Sequence, residues 1–271
     1  MKTFKCGNMT FNDDRPLIMG ILNVTPDSFS DGGNYLDPDA AVRRARNMAK
    51  EGADIIDIGG ASTRPGAAVI STEEELERVK PVLDELSGSG LCLSIDTTNW
   101  RVALYAAEKG VNIINDVSGK FNSYISTVVK GFSLGWIMTH TDGADAGSTV
   151  KRSKPVSEEI LDYFDSCLES AHTAGIADEQ ICLDPGFGFA KTTDENSEIL
   201  GNFAWFAEYP TFVMCALSRK RFLGDLINEP NPVKRDFASA IADSAALVCG
   251  ANIVRTHNVR MAREMLRVLF P

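Results

Sequence analysis

The sequence predicts an α/β fold in which eight parallel strands close into a single (β/α)8 barrel spanning residues 1–271. Three observations support this prediction: short apolar runs alternate with longer amphipathic segments, the alternation repeats eight times, and the apolar runs are nearly continuous. Continuous apolar strands are typical of a parallel sheet that is covered on both faces. Eight strand-helix units in one chain favour a closed barrel over an open eight-stranded sheet, which is the alternative architecture.

The predicted strands and helices follow one another in a regular order along the chain. The apolar runs that predict strands are 17–24, 54–58, 91–95, 112–115, 134–138, 180–183, 211–216 and 252–254. The clearest helical stretches between them are 39–51, 72–86, 100–109, 158–174, 195–208 and 237–249. Four of the helical stretches end in a glycine, the preferred residue just after a helix C-terminus. These glycines are Gly52, Gly110, Gly175 and Gly250. The polar stretch 141–155 predicts a mobile loop over the barrel mouth.

The composition argues against several classes of protein. Asp and Glu outnumber Lys and Arg by 37 to 27, and the net charge of −10 disfavours the broad basic surface that binds nucleic acids or anionic membranes. No apolar run reaches the length of a membrane span, and the N-terminal segment lacks the apolar core of a signal peptide. The six cysteines include no C-x-x-C pair and indicate buried free thiols rather than a zinc ribbon. We therefore expect a cytoplasmic enzyme with one domain.

Each predicted strand ends in, or is followed by, a side chain with binding or catalytic chemistry. In a (β/α)8 barrel the active site lies at the carboxyl ends of the strands. In chain order these ends carry Asn23, Asp57, Asp96, Asn115, His140, Asp184, Ser218 with Lys220, and Arg255 with His257. Asp, Asn and Ser after a strand also form turns and helix caps, which is the alternative interpretation of any one of them. Turn or cap formation does not explain Lys220, Arg255 and His257.

The strand-end residues divide into two chemical groups. The acceptors Asp96, Asn115 and Asp184 suit a flat heterocycle with several N–H donors. The cations predict a local pocket for an anion such as phosphate in a protein that is acidic overall. They are Arg64, Arg219, Lys220, Arg255 and His257. The chain has no nucleotide-binding glycine motif and no histidine pair for zinc, but a hydrated Mg²⁺ held by substrate phosphates and one side-chain oxygen is compatible with this set.

Longer motifs give the chain a family resemblance over almost its whole length. MGILNVTPDSFSDGG at 19–33 and GADIIDIGGASTRPG at 52–66 resemble the signature segments of the dihydropteroate synthases, the folate-pathway enzymes that sulfonamides target. Later matching blocks lie at 94–97, 114–116, 184–189, 218–220 and 255–257. The resemblance implies a TIM barrel that pairs as a homodimer. It also implies the condensation of (7,8-dihydropterin-6-yl)methyl diphosphate with 4-aminobenzoate, which forms 7,8-dihydropteroate and releases diphosphate by an SN1-like mechanism.

The resemblance also implies roles for individual residues. The pterin would be held by Asp96, Asn115, Asp184 and Lys220. The diphosphate would be held by Asn23, Thr63, Arg64, Arg255 and His257, with Mg²⁺ at Asn23. The aminobenzoate would be bordered by Pro65, Phe189, Ser218, Lys220 and Arg221. The catalytic residues would be Asp96, Asp184, Lys220, Arg255 and His257. Segments 25–36 and 61–70 would act as lids that exclude water.

The chain departs from the family pattern mainly toward the aminobenzoate end. The block MTHTDG at 138–143 replaces the usual Met-His-Met, which leaves the role of His140 open. We expect Arg221 to form a salt bridge with the aminobenzoate carboxylate, the alternative being a side chain exposed to solvent. The single-residue departures are Ala61 for Glu, Ala190 and Ala216 for Gly, Arg221 for Ser, and Asn258 for Asp.

Two other functions are compatible with this barrel. A pterin-binding domain of the methyltetrahydrofolate methyltransferase type shares the paired Asp and Asn groups but has no need of the cations. A non-catalytic homologue would bind pterin without turnover. Formation of dihydropteroate distinguishes the synthase from both.

Overall fold

Eight parallel strands form a closed barrel at the centre of the fold. The computed structural model describes residues 1–25, 37–61, 70–142 and 150–271. Within these ranges the eight strands pair in chain order, and the last pairs with the first, so that the sheet closes. The predicted (β/α)8 TIM barrel is thus confirmed. Thr63, Arg64, Pro65, most of both predicted lids and the middle of the predicted loop 141–155 lie outside the described residues.

A two-stranded antiparallel hairpin precedes the barrel strands. It consists of β1 (Thr3–Cys6) and β2 (Met9–Asn12). The barrel strands are β3 (Leu17–Asn23), β4 (Ile55–Gly59), β5 (Leu93–Asp96), β6 (Ile113–Asp116), β7 (Gly135–Thr139), β8 (Ile181–Asp184), β9 (Phe212–Cys215) and β10 (Ile253–Thr256). Each barrel strand overlaps one predicted run, and most of the strand residues are buried. Burial on both faces is the physical reason for their continuous apolar sequences.

Ten α-helices lie in the described parts of the chain. They are α1 (Pro38–Glu51), α2 (Thr72–Leu86), α3 (Trp100–Glu108), α4 (Ser123–Phe132), α5 (Val156–Thr173), α6 (Thr193–Gly201), α7 (Phe203–Phe206), α8 (Arg221–Ile227), α9 (Asp236–Val248) and α10 (Val259–Leu269). The single helix predicted at 195–208 is wrong, because Asn202 has a φ of −102° and a ψ of 14° and separates α6 from α7. No described helix combines the length and apolarity needed to cross a membrane.

The glycines predicted at four helix ends have the expected backbone conformation. Gly52 has a φ of 107°, and its N–H donates to the carbonyl of Ala49 in the last turn of α1. The other three also have positive φ values, between 80° and 101°. A left-handed residue at this position turns the chain out of the helix and back toward the next strand. The predicted helix ends are therefore confirmed at all four positions.

The hairpin closes the amino-terminal end of the barrel. Phe4 and Cys6 of β1 are fully buried, and the ring of Phe4 stacks on Phe212 at a centroid distance of 5.6 Å. The barrel residues in the same apolar cluster, here called the barrel floor, are Leu17, Met19, Ile55, Cys92, Ile113, Ile137, Cys182, Phe212, Met214, Ala216 and Ile253. The close approach of Phe4 to β7 requires Gly135, since an added Cβ there would lie 2.6 Å from the ring.

The sequence analysis did not predict this hairpin. Its strands are joined by the two-residue turn of Gly7 and Asn8, in which Gly7 has a φ of 61°. A glycine-asparagine pair between two short alternating strands is a hairpin signal, so the sequence contained the information. The polar character of the segment concealed its inward-facing residues.

Replacing Phe4 with alanine should lower the free energy of unfolding by about 3 to 4 kcal/mol, because the change leaves a cavity in the barrel floor. Thr10→Ala is the matched control, since Thr10 lies exposed on the same hairpin. It should change stability by less than about 0.5 kcal/mol. Denaturant unfolding followed by circular dichroism measures both variants. Equal effects would show that the hairpin is not part of the core.

Candidate active site

A buried ion-pair network joins four strands at the carboxyl end of the barrel. Arg255 on β10 donates from Nε to Asp57 Oδ2 on β4 at 2.7 Å, and from Nη2 to Asp96 Oδ2 on β5 at 2.7 Å. Asn115 on β6 donates from Nδ2 to the same oxygen of Asp57 at 3.0 Å. The Asp57 side chain is fully buried, and those of Arg255 and Asp96 are 16% and 12% exposed. These four side chains are called the mouth network below.

Two acceptor oxygens of the mouth network have no hydrogen-bond donor within the described part of the chain. They are Oδ1 of Asp57 and Oδ1 of Asn115, and both atoms are buried. Buried acceptors are almost always paired in native proteins, so each is expected to receive a donor from a ligand. A flat heterocycle with N–H groups on its edge supplies such donors.

Asp184 lies at the end of β8 and is held by the loop that follows. Its Oδ1 accepts from the N–H of Gly186 at 2.8 Å, and its Oδ2 accepts from the Thr139 hydroxyl at 3.5 Å. Gly186 has a φ of 70°, and an added Cβ would lie only 1.8 Å from the carbonyl oxygen of His140. The glycine after Asp184 is therefore required by a close approach of two chain segments.

Lys220 lies over an aromatic ring beside this loop. Its Nζ is 4.6 Å from the ring centroid of Phe189, which is a cation–π contact. An added Cβ at Gly188 would lie 3.0 Å from Lys220 Cδ, so the loop backbone also packs against the lysine stem. Burial lowers the pKa of Lys220 to about 8, although Asp184 and Asp96 raise it. The sequence-predicted residues Phe189, Asp184 and Lys220 are thus brought together.

Ser218 and His257 are also neighbours. The Ser218 hydroxyl accepts from the backbone N–H of His257 at 3.1 Å and lies 2.9 Å from its Nδ1. This contact links the segment after β9 to the segment after β10. It also fixes the orientation of the His257 imidazole.

Arg219 makes an ion pair that the sequence analysis did not foresee. Its Nε and Nη2 donate to the two carboxylate oxygens of Asp236 at 2.6 and 3.0 Å. Asn258, one of the departures from the family pattern, donates from Nδ2 to the same carboxylate at 3.0 Å. The expectation that Arg219 contributes to the anion pocket stays a prediction, and in the structure its guanidinium is paired with the first turn of α9.

Asn23 lies beside Asp96 at the mouth of the barrel. A Cβ added to Gly59, which lies between them, would be 3.7 Å from Asn23 Oδ1 and 3.8 Å from Asp96 Oδ2. The described residues include no cluster of three or more His, Cys, Asp or Glu side chains that could cage a metal ion. A cation at Asn23 would therefore take most of its ligands from water and substrate.

Of the remaining predicted site residues, Arg221 is exposed to solvent and the others lie outside the described residues. The side chain of Arg221 is 79% exposed, and its Nε lies 3.9 Å from Oδ2 of Asp225 on the same helix. Its predicted contact with the aminobenzoate stays a prediction. The roles of Thr63, Arg64 and Pro65 stay predictions as well, because these residues lie outside the described ranges.

His140 is buried and neutral. Burial lowers its pKa to about 3, with the nearby Lys191 acting in the same direction. Its ring makes an edge contact with Tyr163 at a centroid distance of 5.1 Å, and its Nδ1 has no partner among the described residues. A neutral imidazole in this position packs the wall of the site and supplies no cation to it.

Burial also shifts the carboxyl groups of the site. It raises the pKa of Asp96 to about 7; Arg255 opposes the shift, while Asp57 and Glu75 add to it. The pKa of Asp184 is raised for the same reason, against the hydrogen bond from Gly186. The carboxyl groups of Asp96 and Asp184 therefore hold their protons more tightly than free carboxylates do.

Asp57 is the functional residue that the sequence analysis noted as a strand end but left out of the predicted site. It is the hub of the mouth network, accepting from both Arg255 and Asn115. Its signal was a carboxylate inside an otherwise apolar run at 55–58. A charged residue in a strand that is buried on both faces requires a buried partner, which the sequence alone does not identify.

Comparisons with known proteins agree with this geometry. A model of the pterin binding enzyme family matches residues 19–257. Dihydropteroate synthase of Staphylococcus haemolyticus is 42% identical over 247 residues, which cover 89% of this chain and 89% of that protein. The mitochondrial folate synthesis bifunctional protein of Pisum sativum is 42% identical over 91% of this chain, which spans about half (51%) of its length. A structure of Xanthomonas albilineans dihydropteroate synthase with 4-aminobenzoic acid has a TM-score of 0.92 at 37% identity, covering 98% of this chain and 96% of that one.

The raised pKa of Asp96 predicts a pH-dependent stability difference. Since its pKa rises from 3.8 to about 7 on folding, the folded protein holds a proton that the unfolded chain has lost between these values. Stability therefore falls as pH rises through this window, and the loss is complete above about pH 7. Asp96→Asn has no such proton, so its stability relative to the wild type should increase by about 1 to 3 kcal/mol from pH 4 to pH 8.

Chemical denaturation at a series of pH values measures this difference. Asp14→Asn is the control, because Asp14 is exposed on the surface, and its difference from the wild type should stay flat. A flat difference for Asp96→Asn would contradict the burial of a titrating carboxyl at the mouth.

Proposed function

This chain belongs to the pterin binding enzymes, and to the dihydropteroate synthases among them, and we propose that its barrel mouth joins (7,8-dihydropterin-6-yl)methyl diphosphate to 4-aminobenzoate. The products are 7,8-dihydropteroate and diphosphate. The observation that carries this assignment is the pair of undonated buried oxygens on Asp57 and Asn115, next to the guanidinium of Arg255. Acceptors for a heterocycle and a cation for its leaving group thus occupy one site.

The acceptors of the site hold the pterin ring. Asp57, Asn115, Asp96 and Asp184 offer carboxylate and amide oxygens to its amino and ring N–H groups. Departure of diphosphate leaves a positive charge on the pterin-methyl group, and nearby carboxylates stabilise that charge in a site of low dielectric constant. Lys220 bounds the ring on the side of Phe189.

The leaving diphosphate is held by cations. Nε and Nη2 of Arg255 are used by Asp57 and Asp96, whereas Nη1 makes no hydrogen bond to the described residues. We assign Nη1 of Arg255 and the imidazole of His257 to the diphosphate. Both groups offset the negative charge that grows on the leaving oxygen, which is the requirement for an SN1-like step.

Asn23 fits a Mg²⁺ ion that is bound mainly by diphosphate. Its single amide oxygen beside Asp96 matches the preference of Mg²⁺ for oxygen ligands and retained water. When bound, the ion would supply a Lewis acid for the charge of the leaving group. Asn23 itself orients the diphosphate toward Arg255, since both lie beside Asp96.

The aminobenzoate binds at the outer edge of the pterin site. Phe189 and the stem of Lys220 form an apolar wall, and Ser218 lies two residues before Lys220 in sequence and contacts His257. The neutral aniline nitrogen then attacks the pterin-methyl carbon. A sulfonamide would compete for this same edge. Pro65 and Arg221 complete the proposed subsite as predictions from the family pattern.

We also propose that the enzyme is a homodimer that pairs through α9. This helix packs one face on the barrel, yet its opposite face carries Phe237, Ile241, Ala245 and Val248, which are all exposed. A helix that is apolar all round is typically buried on both sides. A second copy of the same chain provides the matching apolar face by two-fold symmetry.

The six cysteines support a cytoplasmic location. All are free thiols, and five of them are buried. Six unpaired thiols are typical of a protein in a reducing compartment. The net charge of −10 gives no support to nucleic acid or anionic membrane as a partner.

The purified protein, given pterin diphosphate, 4-aminobenzoate and Mg²⁺, should release diphosphate and form dihydropteroate in equal amounts. Asp184→Asn should weaken pterin binding by about 1 to 3 kcal/mol, because the amide presents a donor to ring donors. Diphosphate binding to the free enzyme should change less than about twofold, under roughly 0.5 kcal/mol. Calorimetry with each ligand measures the two affinities.

Two results would contradict the proposal. Pterin binding without turnover would identify a non-catalytic homologue. An equal loss of both affinities in Asp184→Asn would contradict the separation of heterocycle and anion subsites.

Replacing Ile241 with lysine should convert the dimer into a monomer, because the change places a charge in the apolar face of α9. Analytical ultracentrifugation measures the mass. Tyr124→Lys is the matched control, since Tyr124 is a similarly exposed apolar side chain on α4, 65% against 58%. A monomeric wild type, or a dimeric Ile241→Lys protein, would overturn pairing through α9.

A further inference from the structure

Lys191 is a buried lysine that no step of the proposed reaction uses. Its Nζ donates to three backbone carbonyls: Gly186 at 2.8 Å, Phe189 at 3.2 Å and His140 at 3.3 Å. A lysine ammonium has three N–H groups, so this arrangement uses all of them. Among the described residues no carboxylate forms an ion pair with Lys191.

The three carbonyls belong to the two segments that border the site. His140 follows β7, while Gly186 and Phe189 lie in the loop after β8 that also positions Asp184. The ammonium therefore connects two neighbouring loops and fixes the main chain at the residue whose ring contacts Lys220. The position of the Phe189 ring therefore depends directly on the hydrogen bond from Lys191 Nζ to the Phe189 carbonyl.

The loop that Lys191 supports contains one strained backbone position, at Ala190. Gly186, Gly188 and Ala190 all have positive φ values, of 70°, 78° and 47°. Alanine has a Cβ and is disfavoured in this region. A second cation helps, since Arg152 donates from Nη2 to the Ala190 carbonyl at 3.3 Å. Asp142, Glu159 and Glu195 hold that arginine in place.

We propose that Lys191 is a positioning residue for the second substrate: its ammonium holds Phe189 against Lys220 and so shapes the edge where 4-aminobenzoate binds. This inference rests on the proposed function. Asp184 depends less on the same contact, because the N–H of Gly186, the Thr139 hydroxyl and strand β8 all constrain it. The effect should therefore fall on the aminobenzoate rather than on the pterin.

The burial of the amine agrees with this role. Burial lowers the pKa of Lys191 to about 7; Asp142 and Asp184 raise it, while Arg152 and Lys220 lower it further. An apolar side chain of the same length would fill the space without the cost of desolvating an amine. The three carbonyls provide the compensation that a buried amine needs.

The test compares Lys191→Met with the wild type and with Lys130→Met. Methionine keeps the length of the side chain and removes all three donors. Lys130 is the matched control, because its Nζ also donates to a backbone carbonyl, that of Ala174 at 2.9 Å, on the outer helices. In Lys191→Met the KM for 4-aminobenzoate should rise at least fivefold, while kcat and the calorimetric affinity for pterin diphosphate change less than threefold. Lys130→Met should change none of these.

A double-mutant cycle with Phe189→Leu tests whether Lys191 acts through the ring. If it does, the double variant should have nearly the same KM as Phe189→Leu alone. If Lys191→Met does not fold, Lys191→Gln replaces it in the same cycle, since its amide keeps two of the three donors. A KM within twofold of the wild type, additive effects in the cycle, or a parallel loss of pterin affinity would overturn the proposal. Lack of dihydropteroate formation by the wild type would contradict the proposed function instead.

Discussion

The sharing of one arginine between two buried carboxylates organises the mouth of the barrel. Arg255 reaches past β3 to Asp57 on β4 and Asp96 on β5, and Asp57 in turn orients Asn115 on β6. Removing the guanidinium of Arg255 would leave the two carboxylates without their shared cation in a site of low dielectric constant. The planar fork of arginine fixes the directions of its hydrogen bonds, which a lysine ammonium would not. The acceptors for the heterocycle therefore have one relative geometry before substrate arrives.

Burial makes this site less strongly charged than its composition indicates. It raises the pKa values of Asp96 and Asp184 and lowers that of Lys220, so each group is closer to its neutral form at physiological pH. In the proposed reaction, a positive charge that develops on the bound pterin would favour the ionised forms of Asp96 and Asp184. The burial of Asp96, Asp184 and Lys220 thus sets the proton affinities that these groups have when the proposed reaction separates charge.

The sequence was most informative where one local rule decides the structure. Continuous apolar runs located all eight barrel strands, and Gly52 and its counterparts located four helix ends. It was least informative where the partner of a side chain lies in a distant segment of the chain. Nothing near Arg219 in sequence indicates that Asp236, 17 residues later, engages it, and nothing near Lys191 indicates its contact with His140. Those pairings depend on how the segments that follow the strands pack against one another and against the next helix.

The closed floor of the barrel also gives the protein an internal reporter of its own folding. Cys6 on the hairpin, Cys92 directly before β5 and Cys182 on β8 are at most 5% exposed. A thiol reagent in solution therefore reaches them only when the hairpin detaches or the barrel opens. Because Cys6 belongs to the hairpin and the other two to the barrel, the order in which the three thiols become labelled would distinguish detachment of the hairpin from global unfolding. No introduced probe would be needed.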